Sequence, residues 1–598
     1  MRLIYILFLT LSLNLQAKTI TGKVIDTDNL SLPGVNVIIK GTSTGTTTDF
    51  DGKYSIEAKK GDILVFSFVG MKTKEVKVGE KTVLNVTMET DGSSLDEVVV
   101  THGLAMASTG YAHGIRIRGV SSATVTENES YKEREENNFK LVKASPLSTF
   151  SIDVDKAGYS NIRRMINNGI DIPKDAVKIE EMINYFNYEY EQPTGKHPFS
   201  IQTEYAQTPW NKDTKLLKIG LQGKTIPLEN VPASNLVFLL DVSGSMNSPN
   251  KLPLLKSAFK LLTSQLREQD KVSIVVYAGA AGTVLEPTSG DQKIKIDEAL
   301  DKLSAGGSTA GGEGIQLAYK LAGDNFIKGG NNRVILATDG DFNVGLSSDS
   351  AMKDLIEEKR DSGIFLTALG FGMSNYKDSK LETLAQKGNG NHAYIDSMQE
   401  AQKVLGTEFG GTLYTIAKDV KIQVEFNPDN VQAFRLIGYE NRLLNDEDFK
   451  DDKKDAGELG SGHSVTAVYE IIPAGVKSEF LKDIDDYKYT KHVPTANNSN
   501  ELVTVKFRYK EPDGNKSKLL EEVVYTSAEK ELSTDFNFIS ALSLFGMQLS
   551  ESEFTNEKDV SMVLDLAEKG RGKDKEGYRA EFIRLVKSYQ KPVDLAKE

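Results

Sequence analysis

The chain has 598 residues, too many for one ordinary domain and enough for roughly three to five. Its 72 Lys+Arg stand against 85 Asp+Glu, a formal charge of −13, and no basic block could neutralise a run of phosphates, so no nucleic-acid partner is expected. Cys is absent, which excludes disulfides, a lipidated cysteine, a thiolate nucleophile and any Cys-based zinc site.

The first residues, "MRLIYILFLTLSLNLQAKTI", set Arg2 ahead of an apolar run from Leu3 to Leu15 and a small residue at Ala17. This is the layout of a secretory signal over residues 1–17. The run falls short of the roughly 20 apolar residues that span a bilayer, and no later stretch approaches that length. The expectation is export, cleavage near Ala17 and a mature chain with no transmembrane segment, in the periplasm or at the surface of a Gram-negative-type envelope.

Over residues 18–90, "TITGKVID", "GVNVIIKGT", "GTTTDFDGKYSIEA", "DILVFSFVG", "KTKEVKV" and "TVLNVTM" alternate with period two between Gly and Asp turns, the pattern of an antiparallel sandwich. Asp49 and Asp51 read as turn formers. The ordered features "GKVID", "LPGVNVIIKGTSTGTTTDFDGKYSI" and "FSFVGM" resemble the carboxypeptidase regulatory-like domain, a small transthyretin-like sandwich without catalytic residues. Residues 91–143 read as a linker. Its "SSLDEVVVTHG" resembles the segment that follows the same module in TonB-dependent receptors, which implies a weak link to a TonB-type transducer through Leu95 to Thr101. From His102 to Lys143, Gly, Ser, Thr and charge, including "ENESYKEREENN", predict a flexible tether.

Residues 144–233 give a strand, two helices with Ile162, Met165, Ile166 and Ile179, Met182, Ile183, Phe186 at helical spacing, then the strands "FSIQTEYAQTPW" and "KLLKIGLQGKTI". Residues 234–410 alternate continuous apolar strands with amphipathic helices, beginning with "NLVFLL", which predicts a doubly wound, mostly parallel sheet covered on both faces. Residues 411–530 return to strands, and helices close the chain over 531–598. Strand-rich sequence on both sides of the α/β unit predicts a second sandwich into which that unit is inserted. The acidic run from Asn445 to Asp455 lacks calcium-loop spacing and reads as a solvated hairpin loop.

Oxygen-bearing side chains gather where the α/β strands end. They are Asp241, Ser243 and Ser245 in "DVSGSM", Thr309 in "GGSTAGG" and Asp339 in "ATDGD". A hard cation such as Mg²⁺ takes near-octahedral oxygen, and hydroxyls and carboxylates at converging strand ends supply it. No Gly-Lys-Ser/Thr follows "GGSTAGGEG", so a phosphate loop is not expected. Order and setting resemble the metal-ion-dependent adhesion site of the von Willebrand factor type A (VWA) domain, and residues 144–233 resemble the region preceding certain bacterial VWA domains.

The resemblance implies that Ser243, Ser245 and Thr309 offer hydroxyls to Mg²⁺ (or Mn²⁺ or Ca²⁺), that Asp241 and Asp339 hold the shell largely through water, and that an acidic group of a protein partner completes it. The site is expected at a solvent-facing strand edge. The function implied is metal-dependent protein binding or scaffolding, not catalysis. The alternative, a metal-dependent hydrolase using the same cation, requires a general base. The six histidines, His102, His113, His197, His392, His463 and His492, are scattered and offer none.

Overall fold

The computed structural model describes residues 18–89 and 129–589, apart from short stretches within 26–34, 41–43, 50–51 and 69–70, residues 279, 308–310, 341–348, 374–375, 410–413, 455, 482–499, 513 and 557–558. The expected signal, the Leu95–Thr101 segment and Thr309 therefore lie outside the described residues.

In the first unit, Lys18–Ile25 carries Ile20 and Val24 inward on alternate positions. It lies between Lys53–Ala58 and Val86–Thr87, and a second sheet runs Gly45–Thr47, Asn36–Ile39, Ile63–Ser67, Lys74–Lys77. Val37, Ile56, Leu64 and Phe66 fill one core with them. Asp49 accepts the Lys53 amide at 2.6 Å, as a turn former should. Gly22 permits a close backbone approach, since a Cβ there would lie 1.8 Å from the Leu84 carbonyl oxygen.

The second unit is built on a β-sandwich. One sheet has the order Phe199–Gln207, Lys215–Gly223, Ser464–Pro473, Val431–Ile437, Lys140–Leu141. The other runs Gly457–Gly460, Thr415–Phe426, Glu501–Lys510, Lys518–Tyr525, with Leu147–Ser151 paired to Thr415–Phe426. Phe199, Leu217, Ile219, Val424, Phe434, Tyr469, Val505 and Phe507 share the core between them. Strands before and after the α/β unit thus close one sandwich, and the unit is an insertion between Lys215–Gly223 and Thr415–Phe426.

The first sheet is covered on its other face by helices. Along Ser464–Pro473, Val465, Ala467, Tyr469 and Ile471 enter the sandwich core, while Val468 joins the helical layer. That layer combines Ala157–Asn167 and Ile179–Asn184 with Thr534–Leu549, Ser561–Lys569 and Tyr578–Tyr589. No described helix is long and apolar enough to cross a membrane.

The tether expectation needs correction over its last fifteen residues. Both Glu129 oxygens bind the Arg164 guanidinium at 3.0 and 2.7 Å, and the Asn137 amide donates to the Leu436 and Gly438 carbonyls. Glu136 pairs with Arg435, and Phe139 packs against Phe480 and Phe554. Composition suggested solvated charge, but these charges are bound by buried partners distant in sequence.

The inserted α/β sheet has the order Ala281–Ser289, Lys271–Tyr277, Ser234–Asp241, Asn331–Thr338, Ile364–Phe371, His392–Ile395. Every pairing is parallel except that of Ala281–Ser289, an antiparallel edge strand absent from the sequence reading. Its "AGTVLEPTS" has Pro287 and only two buried positions, which edge strands tolerate and alternation rules miss.

An ion network ties the insertion to its frame. Lys178 meets Glu181, Asp378 and Glu382 at 3.1, 2.8 and 3.0 Å, and Arg442 meets Asp155 and Glu382 at 2.9 and 3.2 Å. Oxygens of Asp155, Glu181 and Glu382 converge within 4.8 Å of one another; Lys178 donates to Glu382, Arg442 to Asp155 and Glu382, and the Gly158 amide to Glu181. Burial pushes the Glu181 carboxyl up to about 7 against the pull of Lys178, and pushes Asp155 up as well. A carboxyl raised above its ordinary value contributes stability that is full below about pH 4.5 and is lost as pH rises through about 7. Glu181→Gln, which cannot ionise, is expected to gain on the wild type by up to about 3 kcal/mol between pH 5 and pH 8. Denaturant unfolding of both at several pH values checks this, and a gap that does not change with pH contradicts it.

Candidate metal centre

The candidate site forms where the parallel strands end. Asp241 closes its strand opposite Tyr277, and Thr338, followed by Asp339, closes the next. Such carboxyl edges are where open α/β sheets bind ligands. After Asp241 the chain turns through a short 3₁₀ helix, Gly244–Asn247, before the helix Leu252–Ser264.

Asp241 is held on three sides. Its Oδ1 accepts the Ser243 amide at 2.9 Å, and its Oδ2 accepts the Thr338 hydroxyl at 3.0 Å and the Tyr277 hydroxyl at 3.3 Å. The Ser243 and Ser245 hydroxyls are 3.0 Å apart. The loop approaching Thr309 is laced to this turn, since the Gly306 amide donates to the Val242 carbonyl at 2.8 Å and the Gly244 amide to the Gly307 carbonyl at 3.1 Å. Thus Asp241, Ser243, Ser245 and Asp339 share one sheet edge, and the described part of the Thr309 loop reaches it.

Two features differ from expectation. Asp241 and Asp339 are fully buried rather than solvent-facing; only Ser245 of the four is exposed. Moreover, Lys251 donates to Asp339 Oδ2 at 2.8 Å in a buried ion pair. Its aliphatic stem fits because residue 372 is a glycine, where a Cβ would lie 2.3 Å from Lys251 Cε and φ is +78°. Sequence reasoning missed Lys251, Thr338 and Tyr277. Adjacency to Asp339 and the end of "KVSIVVY" could have signalled the last two; Lys251 had no signal of its own.

Burial pushes the Asp241 carboxyl up, and the Asp339 charge adds to the push against the bonds from Ser243 and Thr338. Burial also pushes the Tyr277 hydroxyl well up, so it donates to Asp241. Two buried carboxylates beside two hydroxyls form a donor set that fits a hard divalent cation.

Protein YfbK of Escherichia coli (strain K12) is 42% identical over 476 residues, 78% of this chain and 82% of its own. The chain belongs to the YfbK family. The model for the C-terminal region of YfbK matches residues 411–591, which span the second half of the sandwich and the closing helices. The von Willebrand factor type A domain matches residues 235–407, a further von Willebrand factor model matches 125–218, and the CarboxypepD_reg-like domain matches 20–100. TonB-dependent receptor P26 of Formosa agariphila is 53% identical over 87 residues, 14% of this chain and 9% of the receptor. The receptor SusC of Bacteroides thetaiotaomicron is 45% identical over 94 residues, 16% and 9%. Among solved structures, a von Willebrand factor type A protein from Catenulispora acidiphila covers 65% of this chain and 90% of its own, at 14% identity and a TM-score of 0.37. This YfbK-family chain therefore joins a regulatory-like sandwich to a VWA domain set within a second sandwich.

Proposed function

We propose that this YfbK-family protein is exported and binds or scaffolds other proteins in the cell envelope through a divalent cation at the VWA sheet edge, without catalysis. Ser243, Ser245, Asp241 and Asp339 would hold the cation, with Thr309 as the further hydroxyl expected from sequence. When bound, Mg²⁺ or Mn²⁺ supplies an electrophilic point for an acidic group of the partner.

The observation that carries this reading is the Lys251–Asp339 pair. Two site carboxylates bring two negative charges, Lys251 returns one positive, and the hydroxyls are neutral. A divalent cation placed there keeps an excess of positive charge. In a setting of low dielectric, that excess favours a carboxylate from outside. The Tyr277 hydroxyl, kept protonated by burial, acts as a donor to Asp241 and supports binding over hydrolysis. The TonB-like link through Leu95 to Thr101 belongs to the same proposal as a weak second contact.

The test is capture of partners from envelope extract by the wild type and by Ser243→Ala, in Mg²⁺ and in EDTA. The expected result is a set of proteins retained by the wild type in Mg²⁺ and lost in EDTA and in the variant. Capture that ignores both chelator and substitution contradicts the proposal.

A further inference from the structure

A cavity of about 260 Å³ lies where the VWA insertion meets the sandwich. Arg333 reaches it from near the start of Asn331–Thr338, the strand whose opposite end carries the metal-site edge. Asn389, Thr415 and Glu458 line it as well.

Arg333 is 2% exposed, yet no carboxylate lies within ion-pair distance of its guanidinium among the described residues. Its one described hydrogen bond runs from Nη1 to the Thr367 hydroxyl at 2.8 Å, and its Nε is buried and unpaired. The Phe365 ring, 5.5 Å from the guanidinium carbon, offers a π-face but no counter-charge. The nearest candidate, Glu458, is already bound by the Thr415 hydroxyl at 2.6 Å and the Asn389 amide at 3.2 Å. A charge taken out of water without a partner costs several kcal/mol. Arg333 shows the strain of this: burial pulls its pKa down to about 10, with Glu458 opposing only in part.

Of the cations that face the cavity, Arg360 pairs with Asp361, Lys387 with Glu357 and Arg442 with Asp153, Asp155 and Glu382, which leaves Arg333 as the one without a counter-charge among the described residues. The volume holds several waters or one small oxyanion. Guanidinium groups bind carboxylate and phosphate oxygens with charge-assisted hydrogen bonds about twice as strong as neutral ones.

We infer that this junction cavity is a binding site for a small oxyanion, a carboxylate or phosphate group, with Arg333 as its anchoring cation. The bound anion would supply the counter-charge that no described residue gives Arg333 and would bridge the VWA insertion to the sandwich. The site is separate from the sheet edge described above and does not depend on a metal there.

Isothermal titration of the full chain with inorganic phosphate and, separately, with succinate, each against sodium chloride at matched ionic strength, tests the inference. Saturable binding of at least one probe is expected, with a tenfold or greater loss in Arg333→Gln. The phosphate and succinate arms decide which oxyanion class the cavity prefers. Glu458→Gln, which leaves Arg333 in place and removes an opposing charge, is expected to tighten the same probe about threefold and serves if Arg333→Gln does not fold. Binding no stronger than the chloride control, equal binding by Arg333→Gln, or unchanged affinity in Glu458→Gln overturns the proposal.

Discussion

Asp241→Ala is expected to remove the stabilisation that Mn²⁺ gives the protein while changing the metal-free protein little. Without metal, the substitution has two opposed effects. The Thr338 and Tyr277 hydroxyls and the Ser243 amide lose an acceptor, at about 1–3 kcal/mol for buried donors. Against this, a carboxylate whose charge is disfavoured by burial and by Asp339 disappears. The two proteins should therefore lie within about 2 kcal/mol of each other in EDTA, because these terms offset. With Mn²⁺ at a hundred times its dissociation constant, the wild type gains about 2.7 kcal/mol and the variant gains none. Unfolding curves in EDTA and in Mn²⁺ check both halves of this expectation.

The largest purely structural effect is expected from Glu470→Ala. Arg435 and Glu470 stand directly opposite each other on neighbouring strands of the central sheet. Both are buried, with Arg435 Nε donating to Glu470 Oε2 at 2.9 Å and the Thr214 hydroxyl donating to Oε1 at 2.7 Å. Removing the carboxylate leaves a buried guanidinium with Glu136, the Met547 Sδ and the rings of Phe139 and Phe554 beside it. Breaking a buried pair in this way costs about 3–5 kcal/mol, and the surviving Glu136 contact places the expected loss near the lower end. The double variant Arg435→Met/Glu470→Ala should be more stable than Glu470→Ala alone, since no stranded charge remains. Denaturant unfolding of the three proteins decides it; a double variant weaker than the single would show that Glu136, Met547 and the rings satisfy the guanidinium without Glu470.

What could be read from the chain follows from how local each feature is. Asp241, Ser243 and Ser245 lie within one strand-to-turn stretch, and Asp339 directly follows another strand, so spacing alone carries them to one edge. The interrupted sandwich was legible for the same reason, because continuous and alternating apolar patterns change where the inserted α/β unit begins and ends. The missed features are tertiary. Lys251 reaches Asp339 only because Gly372, far along the chain, has no side chain. Glu129, Arg134 and Glu136 look like a solvated charge run until Arg164, Glu440 and Arg435 are brought against them. Arg333 reads as one polar residue at the head of a buried strand, and its lack of a counter-ion among the described residues is visible only once the sandwich closes over it.

A cation at this sheet edge is tested most directly by titrating the wild type and Asp241→Ala with Mn²⁺, read by the loss of the free-ion paramagnetic resonance signal. The expected result is one saturable site per chain in the wild type, displaced by Mg²⁺ and absent from Asp241→Ala. A wild type that binds no Mn²⁺, or a variant that binds it as well as the wild type, would contradict a cation at this sheet edge and with it the metal-dependent binding role.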